Sequence, residues 1–316
     1  MERSYPVRVG SAGPRERAFV VAAGDAGSRL DAFLARALGC SRAEVRRLFE
    51  AGCVTLDASA VSPRARGRSL AGGERVAIGA FTPAAERLIA PDPEAGLRVL
   101  ACGPGWLALD KPPGVPVHPL REGERGTLLG AAVARHPELQ GVGEGGLKSG
   151  LVHRLDTDTS GVVLVATEEA AWQRLREGFR AHRARKLYRA IVLGQPAAEG
   201  CEELALRVSR HRPARVAVAR PDDPHARITR LAWRRLEALG PAALVEVSLE
   251  TGFLHQIRAT FAHRGHPVAG DRRYGPADDP TGAPRQMLHA ARLELDEIRV
   301  ASPDPPDFAA LLERLR

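Results

Sequence analysis

The chain has 316 residues, 44% of them hydrophobic, enough to build two domains with sizeable cores. No run approaches the roughly 18 uninterrupted apolar residues of a membrane-spanning helix, and Met1 to Pro6 lack the apolar core of a signal peptide, so a cytoplasmic protein is expected. The formal net charge of +8 argues for a polyanionic partner.

Cys40, Cys53, Cys102 and Cys201 are widely scattered and form no Cys-x-x-Cys pair. Neither a zinc site nor a disulfide framework is suggested. Of the 46 basic residues only Lys111, Lys148 and Lys186 are lysines. That bias fits bidentate phosphate recognition by arginine, and it also fits a GC-rich coding sequence. The ten histidines show no ligand spacing, so no metal is expected.

Residues 1–14 carry Pro and Gly with little pattern and read as a flexible arm. Leu30, Phe33, Leu34, Ala37 and Leu38 follow helical spacing, and Gly39 ends that helix. Ser41 to Glu44 is a capping box that opens a second helix, with Val45, Leu48 and Phe49 as its buried stripe. Arg42, Arg46 and Arg47 fall off that stripe, either as a solvated face or as a phosphate-binding one. Val54–Leu56 and Val76–Ile78 read as short strands, and residues 81–96 as a linker. A second domain is expected over 97–316. It opens with strands at Leu97–Leu100 and Trp106–Leu109 and a sharp turn at Asp110–Gly114. Gly141 to Gly146 lacks the Gly-Lys-Ser/Thr ending of a phosphate loop and reads as a flexible connection.

The run from Gly150 to Gly161 then packs a basic pair, a central carboxylate and small hydroxylic residues ahead of the apolar strand Val162–Ala166. Such a loop presents a catalytic group on a rigid scaffold, or it is a turn whose Asp caps its own backbone. A helix around Trp172, Leu175 and Phe179 follows, then the basic cluster Arg180, Arg183, Arg185, Lys186 and Arg189. Leu187–Leu193 reads as a strand, and Leu244–Leu249 as a half-buried strand with Val245, Val247 and Leu249 inward. Gly252 to Arg264 is expected to be helical, and Asp307 to cap a last short helix over Asp307–Leu312.

His153-Arg154-Leu155-Asp156, Thr159-Ser160-Gly161, Leu164 and Ala166 together resemble the signature of the RluA-type pseudouridine synthases. Asp110-Lys111-Pro112 with Gly114, His118-Pro119, Lys186-x-Tyr188-x-Ala190, Thr251-Gly252 with His255-Gln256-Ile257-Arg258, Gly270-Asp271 with Tyr274-Gly275, and Leu288-His289-Ala290 match further landmarks of that family. Phe253 departs from it, standing where the family motif has Arg. The stretch Ser209–Arg215 fits only loosely, lacking the usual lysines. Residues 15–80 resemble the S-four-like RNA-binding module through Arg29-Leu30-Asp31, Phe33-Leu34, Leu38-Gly39, Ser41-Arg42, Gly52-x-Val54 and Gly72-Gly73-Glu74.

The resemblance implies an α+β protein: a small RNA-binding domain plus a catalytic domain on a mixed, mainly antiparallel sheet flanked by helices. It implies an enzyme that turns uridine in RNA into pseudouridine without cofactor or metal, with Asp156 as catalytic carboxylate. Tyr188 would stack on the target base and Arg258 would pair with the carboxylate. The carboxylate must be ionised to act as nucleophile, base or electrostatic stabiliser, and a neighbouring guanidinium favours the charged form. His153, Arg154, Thr159, Phe253, His255 and Gln256 are the expected substrate-binding residues. Arg154 either fills the place vacated by an everted uridine or pairs with Asp158. Arg42, Arg46, Arg47 and Lys186 are the expected RNA contacts. The partner would be ribosomal RNA, with transfer RNA the alternative, and the protein a monomer. The competing reading is a non-catalytic RNA-binding assembly factor, which would have little use for a carboxylate in an RNA groove. A nucleoside glycosidase would share the bond broken but not the basic tract.

Overall fold

A computed structural model describes residues 15–211 and 213–316, and the expected arm over 1–14 lies outside the described residues. The described chain forms two compact units. One holds residues 15–88 with Glu144–Leu147, the other Ile89–Gly143 with Lys148–Arg316.

The smaller unit begins with β1 (Arg15–Val20), α1 (Leu30–Leu38) and α2 (Arg42–Glu50), followed by β2 (Val54–Leu56), β3 (Ser59–Ala60) and β4 (Arg75–Phe81). Its sheet runs β1-β4-β2-β3 and is antiparallel throughout. Leu30, Phe33 and Leu34 of α1 and Val45, Leu48 and Phe49 of α2 pack with Val54, Val76 and Ile78 of the sheet in one apolar core. The capping box forms as the sequence implies: Ser41 Oγ accepts the Glu44 N–H at 3.3 Å, and the Glu44 carboxylate accepts the Ser41 N–H at 3.1 Å. Arg42, Arg46 and Arg47 lie exposed on the other face.

In the larger unit β5 (Val99–Gly103) and β6 (Trp106–Lys111) precede α3 (Leu128–Arg135). Then come β7 (Ser160–Ala166), α4 (Glu169–Arg180), β8 (Arg185–Leu193), β9 (Glu199–His211), β10 (Ala214–Val218), β11 (Arg227–Leu239) and β12 (Ala242–Leu249). α5 (Gln256–His263), β13 (Leu288–Leu295), β14 (Ile298–Ala301) and α6 (Pro306–Leu315) complete it. One ten-stranded sheet runs β10-β9-β11-β12-β8-β13-β7-β6-β5, with β14 beside β13. Every pairing is antiparallel except β7 with β13. The architecture is the mixed, mainly antiparallel sheet with flanking helices that the family resemblance implies.

Central β7 is buried on both faces along its whole length, as its continuous apolar run requires. β12 turns Val245, Val247 and Leu249 onto Ile257 and Phe261 of α5, while Leu244 faces Phe308 and Leu311 of α6. The chain around Ile89 differs from the expected linker, since Ile89 is fully buried in the core of the larger unit. The last helix also differs. Its N-cap is Pro305, and the Asp307 carboxylate is committed instead to the Arg285 guanidinium at 2.7 and 3.0 Å.

Candidate active site

The parallel pairing of β7 with β13 decides where the signature loop goes. Ser160 lies opposite His289 and Gly161 opposite Ala290, so the two strands start side by side. The segment just before β13 must then run beside residues 156–159. Gly161 makes the approach possible: its φ is +113°, and a β-carbon there would sit 2.2 Å from the Ala290 carbonyl oxygen.

Four consecutive loop residues are held by different parts of the chain. Arg258 Nη1 donates to Asp156 Oδ2 at 2.8 Å. Lys111 Nζ donates to the Thr157 carbonyl at 2.6 Å, Arg285 Nη1 to the Asp158 carbonyl at 2.9 Å, and Gln286 Nε2 to Thr159 Oγ1 at 2.8 Å. Lys111 also donates to the carbonyls of Pro112 and Val115, at 2.8 and 2.7 Å. Its burial pushes the amine down to about 7. Three carbonyl acceptors nonetheless call for three N–H donors, which only the ammonium supplies, and on that ground we assign the charged form.

Arg258 sits in the first turn of α5 and is 6% exposed. Its Nε and Nη2 grip both oxygens of Asp271, at 2.7 and 2.9 Å, leaving Nη1 for Asp156. Burial alone would lower the guanidinium's pKa, but the bonds and charges of Asp271 and Asp156 hold it above its ordinary value. Burial likewise works against the Asp271 anion, and the Arg258 fork overrides it to hold this carboxyl below its usual range. The Arg273 and Tyr274 N–H groups donate to Asp271 as well, at 3.0 and 3.2 Å. Asp156 is the more accessible carboxylate, its side chain 21% exposed against none for Asp271.

Tyr188 lies half-buried on β8, packed between two apolar cores. Burial, and then the negative charge of Asp156, push its phenol up, which puts the ring within electrostatic reach of the carboxylate. The structure thus brings Asp156, Tyr188 and Arg258 to one place. His255 joins them, its Nε2 3.8 Å from Asp156 Oδ2. The expected helix over 252–264 starts late, at Gln256, because His255 adopts a left-handed conformation with φ 51° and ψ 22°. For a residue with a β-carbon that costs on the order of 1–3 kcal/mol.

Other expected contacts are placed differently. The His153 imidazole stacks on Phe179 with centroids 4.6 Å apart, and its Nε2 accepts the Leu164 N–H at 2.9 Å. Burial pushes it down to about 3, so it is a neutral brace for β7. Thr159 is buried against Gln286. Gln256 accepts from Thr251 Oγ1 at 3.0 Å and from the Phe253 N–H at 3.1 Å, and donates to the Arg230 carbonyl at 3.0 Å. With its amide oxygen and nitrogen both engaged, it braces the turn before α5. Phe253 packs with Leu204, Leu206 and Tyr274. Lys186 is half-buried on β8, donates to the Thr251 carbonyl at 3.3 Å and is lowered to about 8 by burial, unlike an open phosphate clamp. Arg154 is exposed, and among the described residues it makes neither a hydrogen bond nor an ion pair, with Asp158 or any other group. No cluster of His, Cys, Asp or Glu among the described residues could hold a metal ion, and none of their helices is long and apolar enough to cross a membrane.

Asp271, Tyr274, Arg285 and Gln286 join the site without having been singled out for it. Only the Gly-Asp-x-x-Tyr spacing hinted at the first two.

Comparison with known proteins bears on the same region. The family model described as RNA pseudouridylate synthase matches residues 105–263, which include Asp156, Tyr188 and Arg258. A Chloroflexus aurantiacus protein named an uncharacterized RNA pseudouridine synthase is 37% identical, covering 87% of this chain and 86% of its own. The Nitrosomonas europaea protein named ribosomal large subunit pseudouridine synthase D is 35% identical, covering 87% and 80%. Among solved structures, human RNA pseudouridylate synthase domain containing 1 superposes with a TM-score of 0.56 at 25% identity, over 71% of this chain and 90% of that one. The chain belongs to the RluA-type RNA pseudouridine synthases and is an isomerase whose substrate is RNA.

Proposed function

We propose that this enzyme isomerises specific uridines of large-subunit ribosomal RNA and that Asp156 is the carboxylate that acts on the sugar–base bond. The observation that carries the assignment is the pairing of the accessible Asp156 with a buried Arg258 anchored on a second, fully buried carboxylate. In the reaction the bond from uracil N1 to the ribose C1′ breaks, the base turns, and C5 bonds to C1′. The proton on C5 leaves and N1 takes one up, so no redox partner is required. As nucleophile or as electrostatic stabiliser of the detached sugar, the carboxylate must be an anion aimed at one spot. Arg258 supplies both the aim and the countercharge.

A stacked uridine hides that bond, and extruding it costs a few kcal/mol. The Tyr188 ring, within electrostatic reach of Asp156, is suited to offset lost stacking by roughly 1–3 kcal/mol. Arg154, without a partner among the described residues and two residues before Asp156, is suited to occupy the vacated place in the RNA. The smaller unit acts as an S-four-like RNA-binding domain, with exposed Arg42 and Arg47 available for phosphate while Arg46 lies 3.5 Å from Glu50. The choice of ribosomal over transfer RNA rests on that domain and on the name of the Nitrosomonas relative.

Pseudouridine mapping of total RNA from cells lacking this gene tests the target. Discrete large-subunit positions should revert to uridine and return with the wild-type gene but not with Asp156→Asn. Loss confined to transfer RNA, or recovery with Asp156→Asn, contradicts the reading.

A further inference from the structure

Tyr274 joins three parts of the larger unit at the edge of the site. Its hydroxyl oxygen accepts the Val216 N–H of β10 at 2.7 Å and lies 2.9 Å from His255 Nδ1. The Arg258 guanidinium stands 5.2 Å from its ring centroid and that of Arg215 5.3 Å. A phenol has one proton to give. Val216 is a donor, so of these two partners only His255 Nδ1 can receive that proton, and we take the phenol to donate to it. The imidazole hydrogen is then left on Nε2, the atom that faces Asp156.

We propose that Tyr274 is a positioning residue that holds His255 as the neutral Nε2–H tautomer, so that this N–H is a fixed hydrogen-bond donor between the Asp156 carboxylate and the incoming nucleotide. The inference rests on the reading of Asp156 as the catalytic carboxylate. At 3.8 Å the donor is too far from Asp156 Oδ2 for a hydrogen bond. It remains available to an oxygen of the substrate entering beside the carboxylate.

The charge balance explains why a neutral donor suits the site. Asp156 faces a sugar that becomes cationic while Arg258, Arg273 and the Lys111 ammonium already stand nearby, so little negative charge is left over for that sugar. An imidazolium would cancel it. A neutral N–H gives direction without charge. The groups around the ring agree: Asp156 from the signature loop and Asp271 from the segment after α5 favour the proton, Arg258 of α5 and Arg273 oppose it, and burial, the largest influence, settles the ring below its ordinary value. The backbone tells the same story. The left-handed turn at His255 sends the ring away from capping α5, and Gln256 braces that turn from inside.

The direct test is nitrogen-15 NMR of His255 in the wild-type protein. A protonated Nε2 and a bare Nδ1 at neutral pH are expected; a protonated Nδ1 overturns the proposal. The functional test is the pH profile of kcat/KM for tritium release from RNA labelled at uracil C5. Tyr274→Phe removes the donor to Nδ1, lets His255 take a proton more easily, and should move the acidic limb up by about one pH unit, a loss relative to wild type that grows to roughly tenfold at pH values below both midpoints. In the Tyr274→Phe background, His255→Gln, which keeps an N–H donor and cannot be protonated, should remove that shift. A profile that keeps its shape and merely drops in height marks a structural role and overturns the proposal. Asp156→Asn, run in parallel, separates the two ideas: its full activity would sink the carboxylate assignment itself, whereas its inactivity beside an unshifted Tyr274→Phe profile sinks only the tautomer.

Discussion

Arg258 stands between two carboxylates, and only one of them is available to chemistry. Asp271 uses both oxygens on the guanidinium and on the backbone amides of Arg273 and Tyr274, so it acts as an anchor. Removing one partner of a buried pair strands the other, which costs about 3–5 kcal/mol. Asp271→Asn should therefore destabilise the fold by about 3 kcal/mol in urea unfolding and lower kcat at the same time, because Arg258 loses the grip that aims it at Asp156. An unchanged kcat would mean that Arg258 needs no anchor. His153 makes a different prediction. An imidazole ordinarily titrates near 6.5, and burial pushes this one to about 3. Between those values the unfolded chain binds a proton that the folded chain does not. Its contribution is complete above pH 6.5 and is lost as pH falls toward 3, by up to about 1.4 kcal/mol per pH unit. Subtracting the stability profile of His153→Gln from that of wild type should isolate this slope; a flat difference would contradict the buried, neutral assignment.

The parallel contact between β7 and β13 is the shortest and most consequential pairing in the large sheet. It spans two residue pairs and still places Arg285 and Gln286 against the signature loop. Gly161→Ala puts a methyl group into the Ala290 backbone at a φ that side chains avoid, and should cost about 2–3 kcal/mol. Gly240→Ala, at φ +60° with open space around it, should cost about 1 kcal/mol in the same urea titration. Equal costs would show that the strand pair relaxes freely. The apolar run of β7, the alternation of β12 and the capping box of α2 were readable from local pattern because each answers to its own burial or its own amides. The strands β9, β10, β11, β13 and β14 were not singled out. Their residues are half exposed or depend on neighbours far away in sequence for their edges. In the same way the motif placed Asp156, Tyr188 and Arg258 together but assigned substrate roles to His153, Thr159 and Gln256. Spacing reports that a residue belongs to the site region, and only the fold reveals that its polar atoms turn inward.

At the scale of the whole molecule the net charge of +8 favours association with RNA, and each cation that meets a phosphate adds to the salt dependence of binding. If Arg42, Arg46 and Arg47 meet phosphates, replacing all three with Ala should weaken RNA binding and reduce the slope of log K against log salt by roughly 2. The chemistry at Asp156 should continue once RNA is saturating. An unchanged slope would take that helix face out of the RNA interface. The central claim is narrower: one accessible carboxylate, fixed by one buried guanidinium, isomerises uridine. It is tested most directly by incubating purified protein with RNA tritiated at uracil C5 and counting label released to water. The account predicts release by the wild type and none above background by folded, RNA-binding Asp156→Asn. Release by that variant at the wild-type rate would contradict it.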